Sequence, residues 1–176
     1  SCLVVSGVSL SDAVRGLADA RGAEGRLERV DHESIGVFVD YAHTPDAIAR
    51  VLAALRPLTP GRLFVVFGCG GARDRGKRPE MARAAVMGAD VVVVTSDNPR
   101  TEEPNRIVED VLGGVPATSP RIDAADLSNA RTGHAVVVDR HRAIEDAIRA
   151  ANPGDTVLLA GKGHEDYQIV GTTKHP

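Results

Sequence analysis

Four stretches of this 176-residue sequence bring acids, amides, cations and glycines close together. Gly68-Cys69-Gly70-Gly71-Ala72-Arg73-Asp74-Arg75-Gly76-Lys77, followed by Arg78, mixes glycines with four cations. Glycine lets backbone N–H groups approach an anion closely, and a guanidinium grips a carboxylate or phosphate through two parallel hydrogen bonds. The same residues also suit a tight turn with solvated charges. The stretch is neither a Walker loop, since no Gly-Lys-Ser/Thr follows, nor a Gly-x-Gly-x-x-Gly turn opening a helix. Asp97-Asn98-Pro99-Arg100 sets an acid, an amide and a guanidinium around a stiff proline. That set suits a zwitterion, with Arg100 taking a carboxylate and Asp97 or Asn98 addressing an ammonium; the plain alternative is an Asx turn. Gly161-Lys162-Gly163-His164-Glu165 offers a cation, a base and an acid on a flexible loop. A lone histidine is not evidence for a catalytic base, and no pair among His32, His134, His141 and His175 has zinc-ligand spacing. Asp40-Tyr41-Ala42-His43-Thr44-Pro45 is the fourth stretch.

Each stretch follows an apolar run of strand length: Ile35–Val39, Leu63–Phe67, Val91–Val94 and Thr156–Ala160, with a fifth run at Ala135–Val138. Continuous rather than alternating apolar runs imply strands buried on both faces, as in a parallel sheet. Helices are predicted between them. Thr44 caps one with Pro45 at its first position and Ile48, Val51, Leu52 and Leu55 on one face. Pro79 opens a second, through Val86. Pro104 opens a third carrying Ile107, Val108 and Val111, and Ala143, Ile144, Ala147 and Ile148 mark a fourth. The alternation predicts an α/β fold with a doubly wound, mostly parallel sheet, whose ligands bind outside the carboxyl ends of the strands. Residues 116–133 lack a period and read as a long loop. A short amphipathic helix over Ser11–Ala20 precedes a glycine-rich turn at Gly22–Gly25, where a domain boundary is expected.

Composition narrows the classes further. The net charge of −3 gives no electrostatic footprint for nucleic acid, and three Phe, two Tyr and no Trp offer little to stack on bases. The longest uncharged run, Ser1–Ser11, is far short of the roughly 20 residues of a membrane helix. Two cysteines, Cys2 and Cys69, cannot form a disulfide scaffold and fit a reducing compartment.

Taken together, Gly25-Arg26-Leu27-Glu28, Asp40–Pro45, Phe67–Gly71 with Arg73–Pro79, Asp97–Pro104 and Gly161–Gln168 resemble, in order, the C-terminal domain of the Mur ligases, in the branch that adds a diamino acid. The resemblance covers about residues 10–176. It implies a Rossmann-like domain at 23–176 that stops before its last helix, with residues 1–22 as the tail of a central ATPase domain. It also implies ATP-dependent amide bond formation through an acyl phosphate, in a cytoplasmic monomer of peptidoglycan precursor synthesis. The implied substrates are UDP-N-acetylmuramoyl-L-alanyl-D-glutamate and meso-diaminopimelate; ATP and Mg2+ would be held mainly by the central domain. By the same resemblance, Arg73, Asp97, Asn98, Arg100, Gly161 and Glu165 surround the diamino acid. Arg26, Asp40, Tyr41 and His43 face the nucleotide. No catalytic base and no metal ligand is expected in this stretch of chain. The alternatives are an L-lysine-adding ligase of the same family and a non-catalytic nucleotide or amino-acid binding module.

Overall fold

The computed structural model describes residues 6–18, 22–30, 32 and 34–175. Six strands form one sheet: β1 (Glu28–Val30), β2 (Gly36–Asp40), β3 (Leu63–Phe67), β4 (Val91–Val94), β5 (Gly133–Val136) and β6 (Thr156–Ala160). Their spatial order is β1-β2-β6-β3-β4-β5, with β1 antiparallel on β2 and every other pairing parallel. The last central strand, β6, is thus laid between β2 and β3, its Leu159 level with Val39 on one side and Val66 on the other. The helices are α1 (Leu10–Ala18), α2 (Pro45–Leu55), α3 (Lys77–Gly88), α4 (Pro104–Leu112) and α5 (Arg140–Ala150). A small hairpin, β7 (Gln168–Val170) and β8 (Thr173–His175), follows β6. No helix among the described residues is long and apolar enough to cross a membrane.

Strand alternation divides the core into two layers. Leu63, Val65, Phe67, Val92, Val94, Leu158 and Ala160 face α2, α3 and α4, where Ile48, Leu52, Leu55, Met81, Ala85, Ile107 and Val111 meet them. Phe64, Val66, Val91, Val93, Ala135 and Val157 face α5, through Ala143, Ala147 and Ala150. All nine residues of β3 and β4 are buried, as continuous apolar runs require of strands covered on both faces. At about 1.5–3 kcal/mol per fully buried large apolar side chain, these layers supply most of the driving force for the fold.

Helix starts follow local chemistry. Thr44 Oγ1 accepts from Ala47 N–H with Pro45 at the first helical position, and Asp139 Oδ1 accepts from Arg142 N–H. α3 departs from expectation: it begins at Lys77, two residues before Pro79. A proline in the first turn loses no intrahelical bond, because the first four N–H groups have none to make. β5 likewise begins at Gly133 rather than Ala135 and ends at Val136. The 116–133 stretch is irregular apart from a 3₁₀ turn at Ala124–Asp126, and its Leu127 plugs the α5-side core at 1% exposure. The N-terminal helix ends its described part at Ala18, with Leu10, Val14 and Leu17 exposed; residues 19–21 of the predicted Ser11–Ala20 segment and turn lie outside the described residues.

Two ion clusters hold the connections. Arg62 reaches across the amino-terminal edge of the sheet to Asp155, with Nη2 at 2.7 Å and Nε at 3.0 Å from Oδ2, while its other donors hold the carbonyls of Leu127, Ser128, Ala130 and Ala150. At the opposite edge Arg78, fully buried, donates to both oxygens of Glu102, to Asp110 and to the Gly70 carbonyl. Arg75 adds a second guanidinium on Asp110. Two of the four cations read as an anion grip are therefore committed to carboxylates of the protein. The sequence reading overextended there, because the acids that satisfy Arg75 and Arg78 lie on α4 and its approach, more than 20 residues away.

Two outcomes follow for stability. Burial alone would raise the Asp155 carboxyl, but N–H donors of Asn152 and Arg62 and the Arg62 guanidinium outweigh it and hold it below the ordinary carboxylate range. Asp155→Ala strands the mostly buried Arg62 guanidinium, so urea denaturation is expected to show a loss of about 3–5 kcal/mol. The Arg78 guanidinium, helped by Ala72 N–H, holds Glu102 at about 2. A depressed carboxylate contributes stability that is complete above its unfolded pKa of about 4.3 and fades as pH falls through the folded value. Unfolding midpoints measured between pH 5 and 2 should therefore drop less steeply for Glu102→Gln than for wild type.

Candidate functional site

The strand order carries the exits of β2, β6, β3 and β4 side by side to one edge. There they enclose a cavity of about 260 Å³, lined by Tyr41 and His43 from the β2 exit, Gly68, Cys69, Gly70, Arg73 and Lys77 from β3, Asp97, Asn98 and Arg100 from β4, and Gly161 and Glu165 from β6, with Met81 of α3 below. All six residues expected around an amino acid and two of the four expected near a nucleotide thus share one cavity. Arg26 and Asp40 do not line it. Arg26 lies over the Tyr41 ring, 4.7 Å from its centroid. Asp40 commits both oxygens to backbone, accepting from Leu27 N–H and Ala42 N–H at 2.7 Å each.

The loops can crowd together because glycine stands where they touch. A Cβ at Gly68 or Gly71 would collide with the backbone of Thr95 or Pro99. Gly71 N–H donates to the Asn98 carbonyl at 2.8 Å, tying the β3 exit to the β4 exit. Gly161, at φ +112°, donates its N–H to the Asp40 carbonyl and ties β6 to β2 in the same way. Arg100 is itself left-handed, at φ +53°. A non-glycine residue there costs roughly 1–3 kcal/mol and persists only where surroundings enforce it. The enforcement is visible: Arg100 N–H donates to the Ile169 carbonyl at 3.0 Å, and its carbonyl accepts from Gly171 N–H at 2.7 Å. The β7–β8 hairpin straps the Asp97–Arg100 loop further, with Gln168 Nε2 on the Asp97 carbonyl and Ser96 Oγ.

Charge in the cavity is uneven. Arg73 has no carboxylate partner among the described residues, and Arg100 donates one nitrogen to the carbonyls of Gly71 and Asn98, leaving the rest of its fork toward the cavity. Lys77 Nζ holds the His43 carbonyl at 2.9 Å. Across from them Glu165 takes Asn98 Nδ2 at 3.2 Å and the Tyr41 hydroxyl at 3.4 Å. The cavity therefore pairs an anion-seeking wall with an anionic one, which suits a ligand carrying both carboxylate and ammonium. Tyr41 joins its rim through an edge contact with His43 and a stack with His164, whose ring is 5.9 Å away. Cys69, 2% exposed beside Met81, has its thiol pushed up to about 12 by burial, so it is no nucleophile.

Two cations at this site were noted in the sequence but given no place among the residues around the ligand. Lys77 and Lys162 stood inside the quoted segments, but a lysine signals a role only through its neighbours in space. Lys162 Nζ sits behind the cavity wall, 2.9 Å from Asn98 Oδ1 and 2.6 Å from the Tyr167 carbonyl. Arg140, at the start of α5, reaches the Ala160 carbonyl from the other face of the sheet at 3.0 Å, and burial holds it below the ordinary arginine range despite the nearby Asp97.

Known proteins share this arrangement. Residues 25–163 match the family described as Mur ligase, glutamate ligase domain. The chain is 50% identical over 171 residues to the UDP-N-acetylmuramoyl-L-alanyl-D-glutamate–2,6-diaminopimelate ligase of Gloeobacter violaceus, covering 96% of this chain and 32% of that protein. A protein of the same name from Parasynechococcus marenigrum is 52% identical over 178 residues, covering 98% and 33%. A solved structure bearing that ligase name superposes with a TM-score of 0.76 at 41% identity over 99% of this chain and 33% of that one. An Escherichia coli FolC structure in complex with ADP, 22% identical with a TM-score of 0.60 over 89% of this chain and 33% of that one, shares the fold. The chain thus spans about a third of the length of the curated relatives it matches. With its parallel sheet, its cavity at the strand exits and a family match over most of its length, the chain belongs to the Mur ligase family.

Proposed function

We propose that this chain is the amino-acid-binding domain of an ATP-dependent ligase that joins meso-diaminopimelate to UDP-N-acetylmuramoyl-L-alanyl-D-glutamate. The observation that carries the reading is one cavity in which Arg73 and Arg100, without a carboxylate partner among the described residues, share space with Glu165. Meso-diaminopimelate carries two carboxylates and two ammonium groups. In this reading the guanidiniums hold carboxylates, Asn98 adds an amide donor and Glu165 accepts from an ammonium, with Asp97 and Gly161 shaping the floor. The relatives named above are called after the same substrates, which supports this reading. L-Lysine lacks the second carboxylate and would leave one guanidinium without it.

ATP, when bound, supplies activation of the acceptor carboxylate as an acyl phosphate. Among the described residues no three His, Cys, Asp or Glu side chains stand close enough together to hold a metal ion. We assign ATP and Mg2+ to a preceding domain, with residues 1–22 as its tail; the uncovered Leu10, Val14 and Leu17 of α1 support that division. Arg26, Tyr41 and His43 would face it, and Asp40 would act by holding their loop in shape. The cavity residues orient the incoming amine and exclude water from the activated carboxylate, and positioning of this kind supplies much of a ligase's rate.

Residues 1–176 alone, given ATP, magnesium and both substrates, are expected to release no ADP above background; substrate-dependent release from the pure chain overturns the division of labour. In the full-length protein, Arg100→Ala should lose about 10- to 100-fold in kcat/KM for meso-diaminopimelate, the worth of one charge-assisted bond of about 1.5–3 kcal/mol, while any small activity with L-lysine changes little. Arg100→Lys should recover only part, because an ammonium lacks the two-pronged fork. Equal losses with both amino acids would remove Arg100 from the selecting role.

A further inference from the structure

We propose that Lys162 is a positioning residue for the amino-acid site: it touches no ligand, but it fixes which way Asn98 faces and keeps Glu165 aimed at the cavity. This rests on the function proposed above and adds a residue to it. The Lys162 side chain is 12% exposed, and a lysine buried to that degree requires partners for its charge. It has them on every side. Its ammonium donates to Asn98 Oδ1 at 2.9 Å and to the Tyr167 carbonyl at 2.6 Å. Its third neighbour is Asp97 Oδ1 at 3.3 Å, a buried oxygen with no hydrogen-bond partner among the described residues. Two of its N–H groups are committed to hydrogen bonds, and the Asp97 contact adds an ion pair without one.

The consequence falls on Asn98. Its Oδ1 accepts from Lys162 and also from Ile169 N–H at 2.8 Å. Only an oxygen can accept twice, so the amide is locked one way round and Nδ2 must point at Glu165 and the cavity, where it meets Oε2 at 3.2 Å. Lys162 itself stays 3.8 Å from Glu165 Oε2, beyond hydrogen-bond reach. It offsets charge there without capturing the carboxylate, which leaves Glu165 free to accept from an incoming ammonium. Without Lys162, Asn98 Oδ1 keeps only Ile169 N–H, so the amide loses one of the two donors that hold Nδ2 toward Glu165 and the cavity.

The test uses the full-length protein with wild type, Lys162→Met, Asn98→Ala and the double variant, and reads KM for meso-diaminopimelate, ATP and the UDP-linked substrate. Lys162→Met should raise KM for meso-diaminopimelate about 10- to 100-fold, as expected for a lost charged hydrogen bond, and shift the other two by less than about threefold. The double variant should be no worse than about the poorer single one, because both changes break the same device. Lys162→Arg, which keeps the charge but not the compact ammonium that reaches Asn98 and Tyr167 together, should recover part of the loss. A uniform rise in all three KM values, or a double variant whose losses multiply, would reduce Lys162 to a support of the loop and overturn the inference. A wild-type protein that turns over another amino acid but not meso-diaminopimelate would instead overturn the proposed substrate, and the inference with it.

Discussion

The cavity exists because β6 is inserted between β2 and β3. The parallel register sets Asp40 level with Ala160, and Val66 level with Leu159, so the chain leaves all three strands at nearly the same height. That levelling puts Gly161–Glu165 between the Tyr41 loop and the glycine-rich loop, where Glu165 reaches both Tyr41 and Asn98. Had β6 been added at the sheet's outer edge, Glu165 and the Arg73–Arg100 wall would have no common space. The Arg62–Asp155 clasp secures the opposite end, tying the start of β3 to the turn that begins β6.

Two kinds of arginine occur within six residues of one another. Arg78, and Arg75 with it, belongs to the scaffold: Glu102 and Asp110 neutralise it, and it binds α3 to α4 beneath the loops. Among the described residues neither Arg73 nor Arg100, on the next loop, makes an ion pair with an acid. The second pair is costly to the folded chain. Two like charges share a cavity, and Arg100 adopts a backbone conformation that it would not choose alone. The β7–β8 hairpin offsets part of that cost with two backbone hydrogen bonds. In the proposed function, a ligand with two carboxylates would relieve the repulsion between the two guanidiniums.

Much of this was legible in the sequence. The fully buried runs at Leu63–Phe67 and Val91–Val94 announced a sheet covered on both faces, and the loops that follow them carried the site. Helix starts at Thr44-Pro45 and Pro104 were readable from local chemistry; the start of α3 was not, since a first-turn proline is compatible with several positions. Strand order was beyond reach, because buried valines look alike in a central and a penultimate strand. The roles of Arg75 and Arg78 were misjudged for the same reason that Lys162 was passed over. A charged side chain is defined by what neutralises it, and those partners lie from 24 to 65 residues away in sequence.

Cys69 lines the cavity and is the free thiol of the described residues. Burial pushes its thiol up to about 12 and disfavours the reactive thiolate at neutral pH. Sulfur chemistry is therefore disfavoured in a cavity that a cysteine lines. Electrophilic inhibitors designed to alkylate it would find no nucleophile, and mild oxidants would find little to oxidise. A compound meant to hold this pocket must win its affinity by matching two guanidiniums and a carboxylate, reversibly and in competition with water.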